Sequence, residues 1–146
     1  MSSDNIKLKV QANNYPSWQL TNRQICDLEL ILNGGFDPLN GFLSKHDYDS
    51  VLKDMRLKNG ILWPLPIALD VDDDFLDQNS NESKITLRDK EGFALAILTI
   101  SDIWKPDLKY EAKSIFGTLD TKHSGVNHLL NIGNKNYVGG KLEMIS

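Results

Sequence analysis

Two groups of residues in this chain have the side chains that most often bind metal ions. Asp72, Asp73 and Asp74 form a run of carboxylates, and His123 and His128 are separated by four residues. Consecutive carboxylates rarely converge on one cation without a glycine-containing ligand loop, so we interpret the run as a solvated loop. The histidine spacing is not the i, i+4 spacing of a helical metal pair, which favours capping and surface hydrogen bonding. Neither group predicts a metal site.

Two further segments and one cysteine contain the residue types of catalytic sites. Ser44, His46 and Asp47 are the residue types of a hydrolase triad, but adjacency in sequence does not provide triad geometry. Residues 139–141, Gly-Gly-Lys, resemble a phosphate loop yet lack the Walker spacing and a following helix. Cys26 has no activating base nearby in sequence, so we interpret it as a partly buried thiol. We therefore expect no catalytic, cofactor-binding or metal-binding residue in this chain.

The segment 20–70 is rich in residues that begin and end helices. Thr21 and Gln24 form a capping box that begins one helix, and the glycine pair at 34–35 ends it. Ser44 begins a second helix in the same way. These signals predict helix, turn, helix, turn and strand, in that order. The predicted apolar stripes are Ile25, Leu28 and Leu32 on the first helix and Tyr48, Val51, Leu52 and Met55 on the second.

The N-terminal segment and the segment after the second helix have the pattern of strands. Ile6, Leu8 and Val10 alternate with polar residues, which predicts a half-buried strand. Residues 61–71 are predicted to be extended and to lie at an edge or bulge, since Pro64 and Pro66 cannot donate ladder hydrogen bonds.

The sequence of the C-terminal half of the chain predicts a hairpin, two helices and a last strand. Residues 84–88 and 93–100 form the hairpin, and its second strand is almost wholly apolar, which predicts a central position in the sheet. A helix is predicted over 106–116, because proline is favoured at a helix start and Gly117 provides a stop. A short helix near 126–131 and a strand at 137–145 follow.

Length, charge and composition fit one globular domain. A chain of 146 residues is near the usual single-domain size. Its formal net charge is -4 and its basic residues are interspersed with acidic ones, which argues against nucleic acid as a partner. No apolar run approaches the ~18 residues that span a bilayer, and residues 1–10 lack the apolar core of a secretory signal. With a single cysteine as well, these features predict a cytoplasmic protein that does not bind membranes.

Ordered motifs along nearly the whole chain resemble the N-terminal domain of ATP sulfurylase (sulfate adenylyltransferase). They begin with LTNRQICDLELILNGGF at 20–36 and continue with PL-x-GF at 38–42, DY-x-x-V at 47–51, MRL at 55–57, G-x-LWP-x-PI at 60–67, ITLRD at 85–89, LAILTISDIW at 95–104, EAKSIFGT at 111–118, H-x-GV at 123–126 and YVGGKLE at 137–143. Two positions depart from the family pattern. Asp37 stands where the family usually has serine, and Ser124 where it usually has proline.

The resemblance implies a fold and a role. The implied fold is mixed α/β and β-rich: a single PUA-like domain over 1–146, with a β-barrel decorated by short helices. The family joins ATP and sulfate into adenylyl sulfate and pyrophosphate, and it does so on a Q-x-R-N-P-x-H-x-x-H motif and a G-R-D segment. Neither motif occurs in this chain. The implied role is therefore a scaffold and assembly domain that is inactive alone, with MgATP used only by the complete enzyme.

The same resemblance implies partners and leaves alternatives open. The expected partner is the missing catalytic domain, in cis or in another subunit, within a homo-oligomer. The sequence fits either an excised N-terminal domain or a natural short relative without the catalytic half. The alternative from another class is a freestanding, non-enzymatic PUA-like binding or assembly module. RNA binding, which true PUA domains perform, is disfavoured by the acidic charge balance.

Four residues are the candidates for an interface with that partner. Phe36, Phe42, Arg56 and Trp63 lie in or beside turns, and aromatic residues and arginine are enriched at interface cores. In the alternative interpretation, the three aromatic rings pack inside the domain.

Two arginines, Arg23 and Arg56, could serve the fold by forming ion pairs within the domain. Arg23 and Arg56 each lie beside an apolar stripe, and each has an acidic neighbour, Asp27 or Asp54, with which it could form an ion pair. If no such pair forms, contact with a catalytic domain or a neighbouring subunit is the other interpretation.

Overall fold

The chain folds around a six-stranded sheet, in a computed structural model that describes residues 3–37, 39–63, 65–79 and 81–145. Pro38 in a predicted turn and Pro64 in the segment predicted to be extended lie outside the described residues, as do Met1, Ser2, Ser80 and Ser146. The strands are β1 (Ser17–Gln19), β2 (Gly41–Phe42), β3 (Leu69–Val71), β4 (Lys84–Arg88), β5 (Ala94–Trp104) and β6 (Asn136–Met144). The helices are α1 (Ser3–Ala12), α2 (Asn22–Leu32), α3 (Lys45–Asp54), α4 (Asp73–Gln78), α5 (Leu108–Phe116) and α6 (Ser124–Asn127), the last continued by a π-helical segment (His128–Ile132).

The sheet is built around the long strands β5 and β6. Its order is β1-β4-β5-β6-β2, and β3 also pairs with β6. Only β1 and β4 are parallel; every other pair is antiparallel. Leu98 of β5 lies opposite Ile85 on one side and Leu142 on the other, so the predicted hairpin and the central position of its second strand are confirmed.

The sheet is open, which corrects the expected barrel. A barrel requires each strand to pair on both sides, but β1 lies at one edge and β2 and β3 at the other, with no pairing between the edges. The edge strands have only two or three residues each, too few to form a closing ladder. The mixed α/β class is confirmed. The β-rich description is wrong, since 38% of the chain is helix and 26% strand.

The predicted N-terminal strand is a helix instead. In α1, Leu8 and Ala12 lie one helical turn apart and pack toward the sheet, in a cluster with Ile97 and Ile145. Ile6 and Val10 are more than half exposed, at 52% and 62%. The inward face is therefore set by an i, i+4 pair, and the alternation of Ile6, Leu8 and Val10 is a coincidence of the sequence.

The capping signals of segment 20–70 act as predicted. Thr21 and Gln24 form the complete capping box of α2. Ser44 accepts a hydrogen bond from the backbone N–H of Asp47 at the start of α3. The buried residues of α3 are Tyr48, Val51 and Leu52; Met55, predicted to continue that stripe, is exposed instead because it is the left-handed residue that ends the helix. Of the segment 61–71 that was predicted to be extended, Leu69–Val71 forms strand β3 and Leu62 forms a single bridge with Arg56.

The acidic run at 72–74 begins a helix and does not form a loop. Asp72 caps α4 by accepting a 2.8 Å hydrogen bond from the backbone N–H of Phe75. Asp73 accepts from the Asn136 amide at 2.7 Å and pairs with Lys105 at 3.2 Å. These interactions lower the pKa of Asp73. Acidic residues are favourable in the first turn because the helix dipole is positive there.

The two helices between β5 and β6 lie where the sequence predicted them, and their exact bounds differ from the prediction. Helix α5 spans Leu108–Phe116 and ends at Gly117, whose φ of 72° is left-handed, as expected for the predicted stop. The helix begins at Leu108 rather than at the predicted Pro106, and Asp107 is its N-cap. The predicted helix near 126–131 is α6 with its π-helical continuation. Single π-helical turns occur frequently at functional sites.

Glycines allow β2, β6 and β5 to approach one another closely. A Cβ atom added at Gly41 would collide with the Gly140 carbonyl, and one added at Gly140 would collide with the Thr99 carbonyl. The Gly-Gly pair at 139–140 is thus part of strand packing, in agreement with the interpretation that it is not a phosphate loop.

The two largest buried clusters hold the helices against the sheet. The larger one joins the sheet to α2 and contains Leu28, Leu69, Leu87, Leu98 and Val138, each no more than 1% exposed. Fully burying one such side chain is worth about 1.5–3 kcal/mol. The smaller cluster joins α3 to β5 and β6 through Tyr48, Trp104 and Tyr137, whose rings lie 5.4–5.9 Å apart.

Candidate functional site

The four predicted interface residues lie in different environments. Phe42 is 3% exposed and belongs to the larger core cluster, so its ring is not available on the surface of this chain. Phe36 and Trp63 are partly buried and form an edge-to-face pair with ring centres 5.6 Å apart. Arg56 is exposed, and its guanidinium donates a 3.3 Å hydrogen bond to the Gly60 carbonyl.

Exposed apolar side chains lie close to Trp63 and Arg56 in sequence, along the loop that follows α3. We call Met55, Ile61, Leu62 and Leu65 the loop patch; they are 53%, 43%, 60% and 43% exposed. The loop is folded back on itself, because the backbone N–H of Trp63 donates to the Met55 carbonyl at 2.8 Å. The bridge between Arg56 and Leu62 reinforces this turn. These contacts hold the loop from Met55 to Trp63, with Ile61 and Leu62 at the surface, and Leu65 follows it in the chain. Clustering of this kind marks interaction surfaces.

Met55 is held in a conformation that methionine disfavours. It ends α3 with φ 55° and ψ 32°, the only positive φ of a non-glycine residue among those that the structure describes. A left-handed backbone costs such a residue roughly 1–2 kcal/mol, and glycine or asparagine is usual at this place. The side chain is more than half exposed, so it gains little from packing in this chain.

Trp63 has an unsatisfied donor beside the loop patch. Its indole Nε1 is buried and has no hydrogen-bond acceptor within the described part of the chain. A buried donor without a partner costs about 1–3 kcal/mol. Strain at Met55 and an unpaired donor at Trp63 thus occur in the same loop.

A second feature, which the sequence did not predict, is a cavity of about 290 Å³. It lies between α2, β3, α5, the π-helical segment and the start of β6. Its apolar walls include Phe36, Leu65, Ile67, Ile115, Phe116 and Leu129. Its polar lining includes Arg23, Asp27, Asp70, Glu111, His128 and Asn134. Because Phe36 and Leu65 belong to its walls, the cavity borders the loop patch.

Hydrogen bonds fix the Asp70 carboxylate at one side of this cavity. The Gln24 side-chain amide donates to Asp70 Oδ1 at 2.8 Å and to the Asp70 carbonyl at 2.7 Å. The backbone N–H of Asn134 donates to Asp70 Oδ2 at 3.0 Å. Gln24 is itself 4% exposed and accepts from the Thr21 N–H and the Trp18 indole at 3.0 Å each. Both carboxylate oxygens of Asp70 are therefore held by the protein.

The Glu111 carboxylate lies deeper, at only 6% exposure. Its Oε1 accepts hydrogen bonds from the hydroxyls of Tyr48 and Tyr137, the latter at 2.8 Å. Burial raises the pKa of Glu111, although the two tyrosine hydrogen bonds oppose the shift. Burial and the neighbouring Glu111 charge raise the pKa of both tyrosines. No described residue donates to Oε2 of Glu111.

Among the three carboxylates of the cavity, Asp27 accepts the fewest hydrogen bonds. It is half-buried, and no described residue donates a hydrogen bond to it. Burial raises the pKa of Asp27; Arg23 opposes the shift and Asp70 adds to it. Ion pairs in the described part of the chain join Lys45 to Asp49 and Lys105 to Asp73. The predicted pairs of Arg23 with Asp27 and of Arg56 with Asp54 do not form.

The two histidines and the cysteine considered in the sequence analysis occupy three different environments. The His123 ring accepts hydrogen bonds from the N–H groups of Gly125 and Val126, which confirms the predicted capping role. His128 lines the cavity. Cys26 is exposed rather than partly buried, which corrects that prediction. Among the described residues, no group of three His, Cys, Asp or Glu side chains could hold a metal ion.

Comparison with known protein families assigns the fold. The PUA-like domain family matches residues 1–146. The chain belongs to this family. The open sheet described above is thus the form that the PUA-like fold takes here. No helix among the residues described is long and apolar enough to cross a membrane.

Similar proteins of known activity are sulfate adenylyltransferases, and this PUA-like chain matches only part of them. It is 51% identical over 135 residues to the Kluyveromyces lactis enzyme, covering 92% of this chain and 27% of that protein. It is 45% identical over 137 residues to the Saccharomyces cerevisiae enzyme, covering 94% and 27%. The chain therefore spans about a quarter of the length of these relatives.

A solved structure with the same fold is titled a hexameric APS kinase from Thiobacillus denitrificans. The TM-score is 0.74 at 29% identity, covering 100% of this chain and 24% of that one. The PUA-like domain is again a minor part of a larger protein.

Proposed function

We propose that this chain is the N-terminal scaffold and assembly domain of a sulfate adenylyltransferase and has no turnover alone. The observation that carries the proposal is identity of 45–51% to two such enzymes over nearly the whole chain but only 27% of their length. The Q-x-R-N-P-x-H-x-x-H motif is absent from the sequence, and the titratable residues described above serve caps, ion pairs or the cavity.

Catalysis belongs, in this proposal, to the part of the enzyme outside this chain. There, a sulfate oxygen attacks the α-phosphorus of MgATP in line and pyrophosphate leaves, with positioned cations stabilising the developing charge. This chain contributes no residue to that step and binds neither ATP nor the metal. We place the enzyme in the cytoplasm, with the single cysteine of the chain as support.

The loop patch, together with Arg56 and Trp63, is the proposed contact with the rest of the enzyme. Its support is the exposure of four large apolar residues beside a strained methionine and an unpaired indole N–H. A partner would bury the exposed apolar side chains, and an acceptor on that partner would satisfy the indole N–H. Phe36 contributes by supporting Trp63, and Phe42 contributes only to the core. Homo-oligomerisation of the whole enzyme is part of the proposal, with the hexameric neighbour as support.

The first experiment tests turnover. Purified chain is assayed for pyrophosphate release from ATP with sulfate or molybdate, and we expect no rate above the blank. The matching assay uses a chimera in which this chain replaces the corresponding quarter of the Kluyveromyces lactis enzyme. An active chimera with an inactive isolated chain supports the proposal. Turnover by the chain itself within the usual enzymatic range of ~1–10³ per second contradicts it.

The second experiment tests the contact surface in that chimera. Leu62→Asp places a charge in the loop patch and is expected to reduce assembly and activity. Phe93→Asp is the matched control, because Phe93 is 68% exposed in the β4–β5 turn, outside the loop patch. Equal effects of the two substitutions contradict this location.

The alternative function is a freestanding PUA-like binding or assembly module. The comparison uses the Kluyveromyces lactis enzyme from which the corresponding quarter has been removed. The alternative is favoured if the chimera folds and assembles no better than this truncated enzyme.

A further inference from the structure

The cavity between α2, β3 and α5 contains more negative than positive charge. Three carboxylates, of Asp27, Asp70 and Glu111, line it, against one guanidinium, that of Arg23. The carboxylates come from three different elements, so no single helix or loop accounts for their convergence. A cavity lined by one sign of charge with low-dielectric walls attracts the opposite charge.

Two of these carboxylates retain free acceptor capacity. Both oxygens of Asp70 are occupied by Gln24 and Asn134. Asp27 is half-buried with no donor from the described residues, and Oε2 of Glu111 lacks a donor in a side chain that is only 6% exposed. Ionised carboxylates are acceptors only, so whatever completes this site has to bring hydrogen-bond donors. Donors that are also charged form the stronger bonds.

The remaining walls define the body of the ligand. The rings of Phe36 and Phe116 and the side chains of Leu65 and Ile115 line the same cavity. Its volume of about 290 Å³ is at the lower end of the range for small-molecule sites. An apolar stem the length of a butyl chain, with a polar head, fits both the size and the lining. Aromatic rings also favour a cationic head.

We propose that this cavity binds an organic cation, an ammonium or guanidinium group on a short apolar stem, with Asp27 and Glu111 as acceptors. The same chemistry has two sources: a free small amine or guanidine, and a lysine or arginine side chain of another protein segment. Inorganic cations are disfavoured because no group of three metal-ligating side chains forms within the described residues. Anions are disfavoured by the three carboxylates.

The energetics of Asp27 support a binding role over a structural one. Its raised pKa means that the ionised side chain costs folding free energy. Asp27 accepts no hydrogen bond from a described residue, and its attraction to Arg23 does not offset the cost of its burial. Binding sites commonly retain such groups at a cost in stability.

The test is a titration of the 146-residue chain, followed by amide ¹H–¹⁵N spectra. The probes are n-butylguanidinium and the capped peptide acetyl-Gly-Arg-Gly-amide, and butyramide serves as the neutral control. We expect saturable shifts at amides of α2, β3 and the π-helical segment with at least one cationic probe and none with butyramide. Saturation by butylguanidinium indicates a free small molecule, and saturation by the peptide alone indicates a protein side chain.

Variants separate the proposed contact from general charge effects. Asp27→Asn is expected to weaken binding about tenfold or more, the loss typical of one charge-assisted hydrogen bond. Glu29→Gln is the matched control, since it removes the same charge from the exposed side of α2 and is expected to leave affinity within about twofold. The proposal is overturned if neither cationic probe shifts the cavity amides of the wild-type chain. It is overturned equally if butyramide binds as well as butylguanidinium, or if Glu29→Gln weakens binding as much as Asp27→Asn.

Discussion

The hydroxyl of Tyr137 on β6 donates a 2.8 Å hydrogen bond to the carboxylate of Glu111 on α5. The bond is buried, and Tyr48 of α3 donates to the same oxygen, so one carboxylate links two helices to the sheet. Because Glu111 also lines the cavity, the core and the candidate binding site share a residue.

Removing one of these donors is expected to cost stability. Tyr137→Phe leaves a buried carboxylate with one hydrogen bond fewer, and we expect a loss of about 1–3 kcal/mol of unfolding free energy in urea. Tyr110→Phe is the control, because Tyr110 is on α5 together with Glu111 and its side chain is 50% exposed. A loss of the same size in both variants would show that the Tyr137–Glu111 bond contributes nothing specific.

Gly140→Ala is expected to be among the most damaging substitutions. Its Cβ would meet the backbone carbonyl of Thr99, which only separation of β5 from β6 can relieve. We expect a cost above about 4 kcal/mol or failure to fold. Gly60→Ala is the control: its φ is 91° but the space is open, so only the left-handed penalty of about 1–2 kcal/mol applies. Comparable costs at both positions would contradict the close approach of the strands.

Leu28→Ala tests the placement of the core. Leu28 is 1% exposed in the larger cluster, and truncation there is expected to cost ~2–5 kcal/mol. Leu95 is only partly buried against the same cluster, so Leu95→Ala is expected to cost less. Leu62→Ala, at an exposed position, is expected to change stability by less than about 0.5 kcal/mol. Urea denaturation of the three variants measures the order of these losses in unfolding free energy. A loss at Leu28 as small as that at Leu62 would refute the placement of Leu28 in the core.

Met55→Asn is expected to stabilise the isolated chain. Asparagine accepts the left-handed conformation that ends α3, so we expect a gain of about 0.5–2 kcal/mol in thermal or chemical denaturation. Lys53→Asn, two residues earlier in the right-handed helix α3, is expected to give no gain. If Met55 serves the interface, the same stabilised variant weakens assembly of the chimera. A destabilised Met55→Asn chain would contradict the strain assigned to this residue.

The stability of the wild-type chain relative to Asp27→Asn is expected to fall as pH rises. The folded pKa of Asp27 lies above its unfolded value of 3.8. The folded state therefore binds the proton of Asp27 more tightly than the unfolded state does. This contribution to folding stability is fully present below the unfolded pKa. It is lost as pH rises through the folded pKa. Paired denaturation curves between pH 3 and 7 measure this difference, and a rise in the relative stability of the wild type over that range would contradict the sign.

Local signals in the sequence predicted local structure well. The capping box of Thr21 and Gln24, the Ser44 cap and the Gly117 stop depend on residues within one helical turn, so the sequence specifies them directly. The hairpin of β4 and β5 is likewise local, and its apolar second strand indicated a central position.

Long-range arrangement was predicted less well. The alternation of Ile6, Leu8 and Val10 fits a strand as well as a helix face, and packing of Leu8 and Ala12 against the sheet decides for the helix. Which strands form the edges of the sheet depends on how the strands pair. The pattern of apolar residues within one strand does not specify its partners. The cavity combines Arg23, Asp70 and Glu111 from distant segments, so only the folded chain brings them together. The i, i+4 spacing of Arg23 and Asp27 was the one available signal, and it indicated an ion pair that does not form.

The pairing of β6 has a consequence for synthesis of the chain. β6 spans Asn136–Met144 and is the shared neighbour of β2, β3 and β5. While the ribosome is still translating, β2 and β3 have no strand to pair with until residues 136–144 have emerged. Strands β1, β4 and β5 can pair with one another before that point, but β2 and β3 remain unpaired and the exposed edge of β5 is covered in one late step. Such late, non-local pairing slows folding and favours capture by chaperones.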